Sequence, residues 1–318
     1  MHCVVNERIR KATICGFSLL LTGCKPYLYP MKKIVLLALA IIFIHIGAHA
    51  QSAPGDQSLL WRISGNGMTK PSYLFGTIHL ICPEDYLWTD KMKQSLALSE
   101  KVCFEMDLDD TKLMMSASDG FIATDGKKLK DYYTPEQYQL LKKFVKDSIG
   151  MDIGMLQQMK PIALESIISM KTTKCLNPVS YEETIMKAAK EAGKEVLGLE
   201  DPSEQIGALD SMPSDSVAKE VFEEIRDFAK NKQEYNAMVT AYKTQQLSVL
   251  YEKITSVKGQ GDDMRVLLDD RNKRWIARMT AKINKSSVFF AVGAGHLPGS
   301  TGVISLLRNA GYTVEPVF

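Results

Sequence analysis

The sequence predicts an α/β fold: a mixed central sheet from both chain ends, with a large helical insertion between them. Three observations predict it. Short apolar, β-rich runs cluster in residues 59–105 and again in residues 287–317. Helical periodicity dominates residues 110–256. One β-rich run, Glu195-Val196-Leu197-Gly198-Leu199, interrupts that helical series.

Leu59-Leu60-Trp61-Arg62-Ile63 reads as the first strand. Gly65-Asn66-Gly67 is a turn, and residues 72–78 form the next strand, so the two pair as a hairpin. Pro83 and Glu84 open a loop, and a helix follows over residues 89–99. Residues 101–105 form a third strand. Thr134-Pro135-Glu136-Gln137 starts a helix, with Thr as cap and Pro at the first position. A second starts near Pro161, and a third covers residues 181–192 and closes at Gly193. After the strand at 195–199, helices resume at Glu204 and near Ser214. A long helix over 262–283, a strand over 287–292, a helix over 299–310 and a strand over 312–317 complete the chain. Nothing resembles an inter-domain linker. Residues 51–318 therefore read as one domain, with its helical middle at about 110–256, behind a leader of residues 1–50.

The leader carries an export signal. Met31-Lys32-Lys33 is a short positive segment, residues 34–46 are apolar apart from His45, and Ala48-His49-Ala50 supplies an A-x-A cleavage pattern. This reading starts the protein at Met31, cleaves it after Ala50 and places it in the periplasm or outside the cell. Leu21-Thr22-Gly23-Cys24 resembles a lipoprotein signal. A lipid on Cys24 is the alternative, and only then does the protein meet a membrane.

Removing the six basic residues and one acid of residues 1–50 from totals of 39 and 37 leaves 33 against 36, a net charge of −3. The body is mildly acidic and has no basic stripe with interleaved aromatics, which argues against nucleic-acid binding. Cys82, Cys103 and Cys175 follow Ala50. An odd count forbids full pairing. One disulfide or three buried thiols both fit, and Cys103, inside an apolar strand, reads as core.

The histidines carry the strongest signal. Of five, His2, His45 and His49 lie in the leader, which leaves His79 and His296. Each closes a G-x-x-H turn after an apolar strand: Gly76-Thr77-Ile78-His79 and Gly293-Ala294-Gly295-His296. The two segments echo one another, as an old duplication or as two strand ends built alike. Ligand sites gather at strand ends in α/β sheets.

Glu105 and Asp107 follow the third strand, and alternation puts them on one face if the strand persists. Two histidines and a carboxylate form a common set for a divalent metal such as Zn, Mn or Co. Without a metal, a histidine can serve as general base with a carboxylate orienting it. Glu200, after another apolar strand, reads as a helix-capping or loop residue. Arg271 could hold a substrate carboxylate or an oxyanion. The blander reading of its helix is a solvated face with an Asp269–Lys273 pair. There is no G-x-S-x-G elbow, no H-E-x-x-H and no P-loop.

Taken in order, Tyr73-Leu74-Phe75-Gly76-Thr77-Ile78-His79-Leu80, Phe104-Glu105-Met106-Asp107, Leu197-Gly198-Leu199-Glu200, Arg271-Asn272 with Trp275, and Val292-Gly293-Ala294-Gly295-His296-Leu297-Pro298-Gly299 resemble the TraB/GumN family. That family includes bacterial pheromone-shutdown proteins and the animal Tiki proteases that act on Wnt. The resemblance spans residues 59–318. It implies a metal-dependent peptidase acting on a peptide or protein substrate. His79, Glu105 and His296 would form the metal-binding or catalytic core, with Asp107 and Arg271 in support. It also implies a fold like that of erythromycin-esterase and haem-binding ChaN-like proteins. Two alternatives therefore stand beside the metallopeptidase: a metal-free esterase-like hydrolase, and a non-catalytic exported protein that binds haem or a peptide.

Overall fold

A computed structural model of the chain describes residues 57–256 and 264–318. The leader, with Met31, Ala50 and Cys24, lies outside the described residues, as do Asp262 and Asp263 at the start of the expected long helix.

Six strands form one mixed sheet in the order β4-β3-β5-β2-β1-β6. β1 (Leu60–Ser64) and β2 (Ser72–Thr77) make the expected hairpin, with Leu60 opposite Phe75. The turn between them takes positive φ at Gly65, Asn66 and Gly67, which these residue types tolerate. β3 (Lys101–Met106), β4 (Glu195–Glu200) and β5 (Val288–Gly293) join β2 as parallel neighbours. β6 (Thr313–Pro316) runs antiparallel to β1 and closes the other edge. The sheet is thus α/β in character, as expected, and β4 enters it from the helical middle.

The central strands are buried on both faces. All of β2 is buried, as are the first five residues of β5. Such strands read as continuous apolar runs rather than alternating ones, and Val-Phe-Phe-Ala-Val is one. Trp61, Phe75, Phe104, Phe289, Phe290, Tyr181 and Tyr242 fill the core around them.

Eleven helices of α type surround the sheet among the described residues: α1 (Asp90–Leu98), α2 (Thr111–Asp119), α3 (Pro135–Phe144), α4 (Pro161–Ser169), α5 (Tyr181–Glu191), α6 (Pro202–Asp210), α7 (Ser214–Arg226), α8 (Phe228–Lys243), α9 (Leu247–Thr255), α10 (Asp270–Ile283) and α11 (Val303–Asn309). Local signals explain several boundaries. The Thr134 hydroxyl accepts from Gln137 N–H at 3.2 Å, and the Gln137 side chain accepts from Thr134 N–H at 2.9 Å. This reciprocal cap, with Pro135 next, starts α3. The insertion also has a core of its own. Leu141, Ile162, Leu164, Ile168, Val217 and Val221 pack from α3, α4 and α7, separately from the sheet core.

Four expectations are corrected. The long helix is a π turn at Arg265–Asp269 followed by α10. Asp269 accepts from the Thr301 hydroxyl at 2.7 Å, and Lys273 pairs with Asp270 at 3.2 Å, so the Asp269–Lys273 pair does not form. The helix expected over 299–310 is confined to Val303–Asn309, because the chain turns through Gly299 at φ +90° first. Glu200 caps no helix: Glu204 accepts from Asp201 N–H at the start of α6, and Glu200 is buried.

Cys82 and Cys175 form a disulfide, and Cys103 is a buried free thiol. Among the described residues no helix is long and apolar enough to cross a membrane.

Candidate functional site

Because β4, β3, β5 and β2 are parallel, their C-terminal ends share one edge of the sheet. Glu200 ends β4, Glu105 lies near the end of β3, and His296 and His79 follow β5 and β2. Four segments distant in sequence therefore deliver acids and imidazoles to the same edge. Gly76 lets the turn after β5 pack closely on β2 there. A Cβ on it would stand 3.0 Å from the Ala294 Cα and 3.0 Å from Leu297 Cδ2.

His296 sits in a tight turn, Ala294–His296, and is buried. Its Nδ1 lies 2.7 Å from Asn272 Oδ1. Asn272 Nδ2 donates to the His296 and Thr301 carbonyls at 3.3 and 3.0 Å, which fixes the orientation of the amide. The oxygen must therefore face the ring, and Nδ1 must carry the proton. The lone pair is left on Nε2, which stands 3.8 Å from Glu105 Oε1. Burial pushes the ring down to about 3, so it is neutral at physiological pH. The indole of Trp275 covers it, with ring centroids 4.4 Å apart.

Glu105 accepts from Gly293 N–H at 2.8 Å and from Arg271 Nη2 at 2.7 Å. Burial alone would raise its carboxyl. The facing His296 ring, the Arg271 guanidinium, the His79 ring and the Gly293 N–H outweigh burial and hold it at about 2.

Arg271 is the hub. It projects from α10, is 5% exposed, and bonds Glu200 through Nε at 3.0 Å and again through Nη2. Its Nη1 donates to the Leu267 carbonyl at 3.2 Å and lies 3.3 Å from His296 Nε2. The guanidinium also stacks 4.8 Å from the Trp275 ring, and the Trp275 indole N–H donates to Glu200 Oε2 at 3.0 Å. The solvated-face reading of this helix position is thereby corrected. With His296 neutral, two carboxylates and one guanidinium leave this cluster one net negative charge.

His79 is placed differently. Its side chain is 77% exposed and its Nδ1 lies 3.2 Å from Glu182 Oε1. Glu182, in the first turn of α5, also accepts from the Thr77 hydroxyl at 2.7 Å and the Ser180 hydroxyl at 3.0 Å. The Glu182 hydrogen bond raises the His79 ring to about 9. The two G-x-x-H turns are also out of register, since Gly76 pairs with Val292 and Thr77 with Gly293. The sequence echo does not produce matched environments. Asp107 lies past the end of β3, where it accepts from Asp109 N–H at 3.1 Å.

The donor types suit a divalent cation: a neutral imidazole with a fixed tautomer, an ionised carboxylate and a net negative cluster. The structure presents them in two parts, Glu105 with His296 and His79 with Glu182. Among the described residues, the only group of three acids, cysteines or histidines whose ligand atoms all lie within 4.8 Å of one another is Cys82, Glu84 and Asp85. Cys82 is committed to its disulfide.

Glu182 was not singled out from sequence; Asn272 and Trp275 entered only through the family resemblance, and the burial of Glu200 was not foreseen. Glu182 reads locally as an acid in a helix first turn, which the helix dipole already explains. Asn272 reads as a polar helix residue. Only its neighbour Arg271 was given a role.

Fold and site together define an α/β protein with a buried histidine–carboxylate–arginine cluster at the C-terminal edge of a parallel strand set. The chain belongs to the TraB/PrgY/gumN family, which matches residues 59–316. It is 23% identical to the metalloprotease TIKI2 of Danio rerio over 315 residues, 81% of this chain and 60% of that protein. It is 24% identical to a metalloprotease TIKI homolog of Amphimedon queenslandica over 348 residues, 91% of this chain and 67% of that protein. With the metalloprotease TIKI1 of Homo sapiens it shares 24% over 315 residues, 81% of this chain and 61% of that protein. The chain therefore spans about 60% of the length of the vertebrate relatives named here. No solved structure matches it.

Proposed function

We propose that this protein is an exported hydrolase of the metalloprotease kind, cleaving a peptide or protein substrate at the C-terminal edge of its sheet. One observation carries this reading: the His296 Nε2 lone pair is fixed by Asn272 and held 3.8 Å from the ionised Glu105. The TIKI metalloprotease relatives support it. The Cys82–Cys175 bridge supports export, since disulfides persist in oxidising compartments.

His79, Glu105 and His296 would hold a divalent cation such as Zn, Mn or Co. When bound, that cation would supply a water whose pKa is lowered toward neutrality. The chain's own residues do the rest. Asn272 keeps the His296 proton on Nδ1, and Trp275 shields the ring from solvent. Arg271 holds Glu105 in place and ionised, so that the carboxylate is ready to bind or to accept a proton. Asp107, just past the end of β3, would be a second carboxylate to take a proton.

Metal analysis of the purified protein, beside the His79→Ala/His296→Ala variant, tests this. About one equivalent in the wild type and none in the variant is expected. Equal content in both would overturn the metal reading.

A second reading has its own observation. Arg271 donates to Glu105 and approaches His296 Nε2 at 3.3 Å, so the guanidinium already bridges the two donors. That arrangement suits a metal-free hydrolase in which a histidine is the base and the carboxylate orients it. Hydrolysis that survives a chelator but is lost in His296→Ala would select it.

A further inference from the structure

We infer that Glu182 is the positioning residue of His79, and that the Cys82–Cys175 disulfide clamps the two together. The inference rests on the reading of His79 as a member of the hydrolytic site.

A carboxylate only accepts hydrogen bonds. Glu182 Oε1 already accepts the Thr77 hydroxyl at 2.7 Å, and it faces His79 Nδ1 at 3.2 Å. Nδ1 therefore keeps its proton, and Nε2 is the nitrogen that gives one up when the ring, held cationic by Glu182, becomes neutral. His296 shows the same pattern, with Asn272 Oδ1 in the role of Glu182. Each G-x-x-H histidine thus has an oxygen acceptor on Nδ1, contributed by a helix remote in sequence. Such outer partners orient the ring and set which nitrogen works.

The chain between the partners is tied at several points. Ile81 and Val179 exchange backbone hydrogen bonds at 3.0 and 2.8 Å. One residue beyond Ile81, Cys82 is bonded to Cys175. Asp85, in the same turn, is buried and pairs with Lys174 at 2.8 Å and Lys243 at 2.6 Å. The Tyr235 hydroxyl donates to the Leu80 carbonyl, next to His79. An exposed imidazole at a strand end has little packing to hold it. These ties bring the loop after β2 against the start of α5, so that a largely buried carboxylate, not packing, aims an open ring.

The test is ring-nitrogen NMR of the full chain labelled at histidine. His79 and His296 are assigned by their loss in single alanine variants. The neutral His79 ring of the wild type, formed above about pH 9, is expected as the Nδ1–H tautomer. In Glu182→Ala its ratio should move about fivefold or more toward Nε2–H, consistent with loss of a charge-assisted bond. The His296 signal should stay unchanged and so report an intact fold. Glu182→Gln keeps an accepting oxygen and should restore the Nδ1–H form. Cys82→Ser/Cys175→Ser should shift His79 in the same direction as Glu182→Ala. A wild-type His79 found as Nε2–H, or a ratio unmoved by Glu182→Ala, overturns the positioning role. A ratio unmoved by the double serine variant overturns the clamp.

Peptide hydrolysis separates this inference from the reading it rests on. If both hold, Glu182→Ala lowers kcat about 10–100-fold with KM little changed, and Glu182→Gln recovers part of it. If the wild type hydrolyses no peptide, the functional reading fails while the NMR arm still decides what Glu182 does to His79.

Discussion

Arg271 and Glu105 form a buried ion pair, Nη2 to Oε2 at 2.7 Å, between residues 166 positions apart. The same guanidinium neutralises Glu200, whose side chain has no solvent exposure. Removing Arg271 would leave two carboxylates without their cation in a site that water barely reaches. Breaking such a pair from one side costs about 3–5 kcal/mol, because a buried charge is stranded. Arg271→Ala should lose about that much stability in urea unfolding. Arg271→Lys should recover only part, since a lysine cannot bond both acids through a planar fork. A loss below about 1 kcal/mol in Arg271→Ala would show that the pair is not buried as described.

Asn272 tests how His296 is held. Asn272→Asp keeps an oxygen for the ring N–H but loses the donors to the His296 and Thr301 carbonyls. Asn272→Leu loses both functions. Orphaned buried groups cost about 1–3 kcal/mol, and loss of an outer partner costs about 10–100-fold in metal affinity or activity. Asn272→Leu should therefore melt lower and lose both metal and peptide hydrolysis. Full metal content in a folded Asn272→Leu protein would remove His296 from the ligand set.

Glycine at 198 is a close-approach position. It faces Phe104 across the β3–β4 ladder, and a Cβ there would stand 2.5 Å from Asp107 N and 2.9 Å from Met106 C. Both are backbone atoms, so no rotamer change relieves the clash. Gly198→Ala should cost about 1–3 kcal/mol or more, read as a lower thermal midpoint. It should also move Glu200 against Arg271 and so lower hydrolysis beyond the loss of folded protein. A variant as stable as the wild type would mean that β3 and β4 are spaced more widely.

How much of this was legible beforehand follows from the range of each interaction. β5 and β2 were legible because runs such as Val-Phe-Phe-Ala-Val need no partner to be read as buried strands. The helix start at Thr134-Pro135 was legible because a cap and its acceptor lie three residues apart. His79, Glu105 and His296 stood out because they follow strand ends. The opposite burial of the two histidines did not show, because the turn after Gly293 tucks His296 beneath Trp275 while His79 leaves the sheet into solvent. Nor did the pairing of Glu182 or of Glu200. Each has a sufficient local explanation, as a first-turn acid and as a polar residue after a strand. Their true partners, His79 and Arg271, lie 103 and 71 residues away. The disulfide was one of two readings left open by an odd cysteine count, and only the fold brings Cys82 to Cys175.

The helical insertion supplies a pH test remote from the site. Glu165 on α4 and Glu224 on α7 lie where these helices pack. Burial raises Glu165 to about 7, with Glu220 adding to the shift. Burial likewise raises Glu224 to about 7, with Glu165 adding, while the Ser169 hydroxyl donates to it at 3.5 Å. Both folded values stand above the unfolded glutamate value of about 4.3. The folded protein therefore holds more protons than the unfolded chain between about pH 4.5 and 7, and stability falls as pH rises through that window. Below it both states are protonated and the penalty vanishes. Glu165→Gln removes one ionisation and the repulsion it exerts on its neighbour. Allowing for partial exposure, the gain at pH 8 should be about 1–2 kcal/mol, or about 2–6 °C in Tm for a domain of this size. At pH 4.5 variant and wild type should melt together. Melting curves at the two pH values decide it: an equal offset at both, or none at pH 8, would mean that Glu165 ionises as freely in the folded protein as in the unfolded chain.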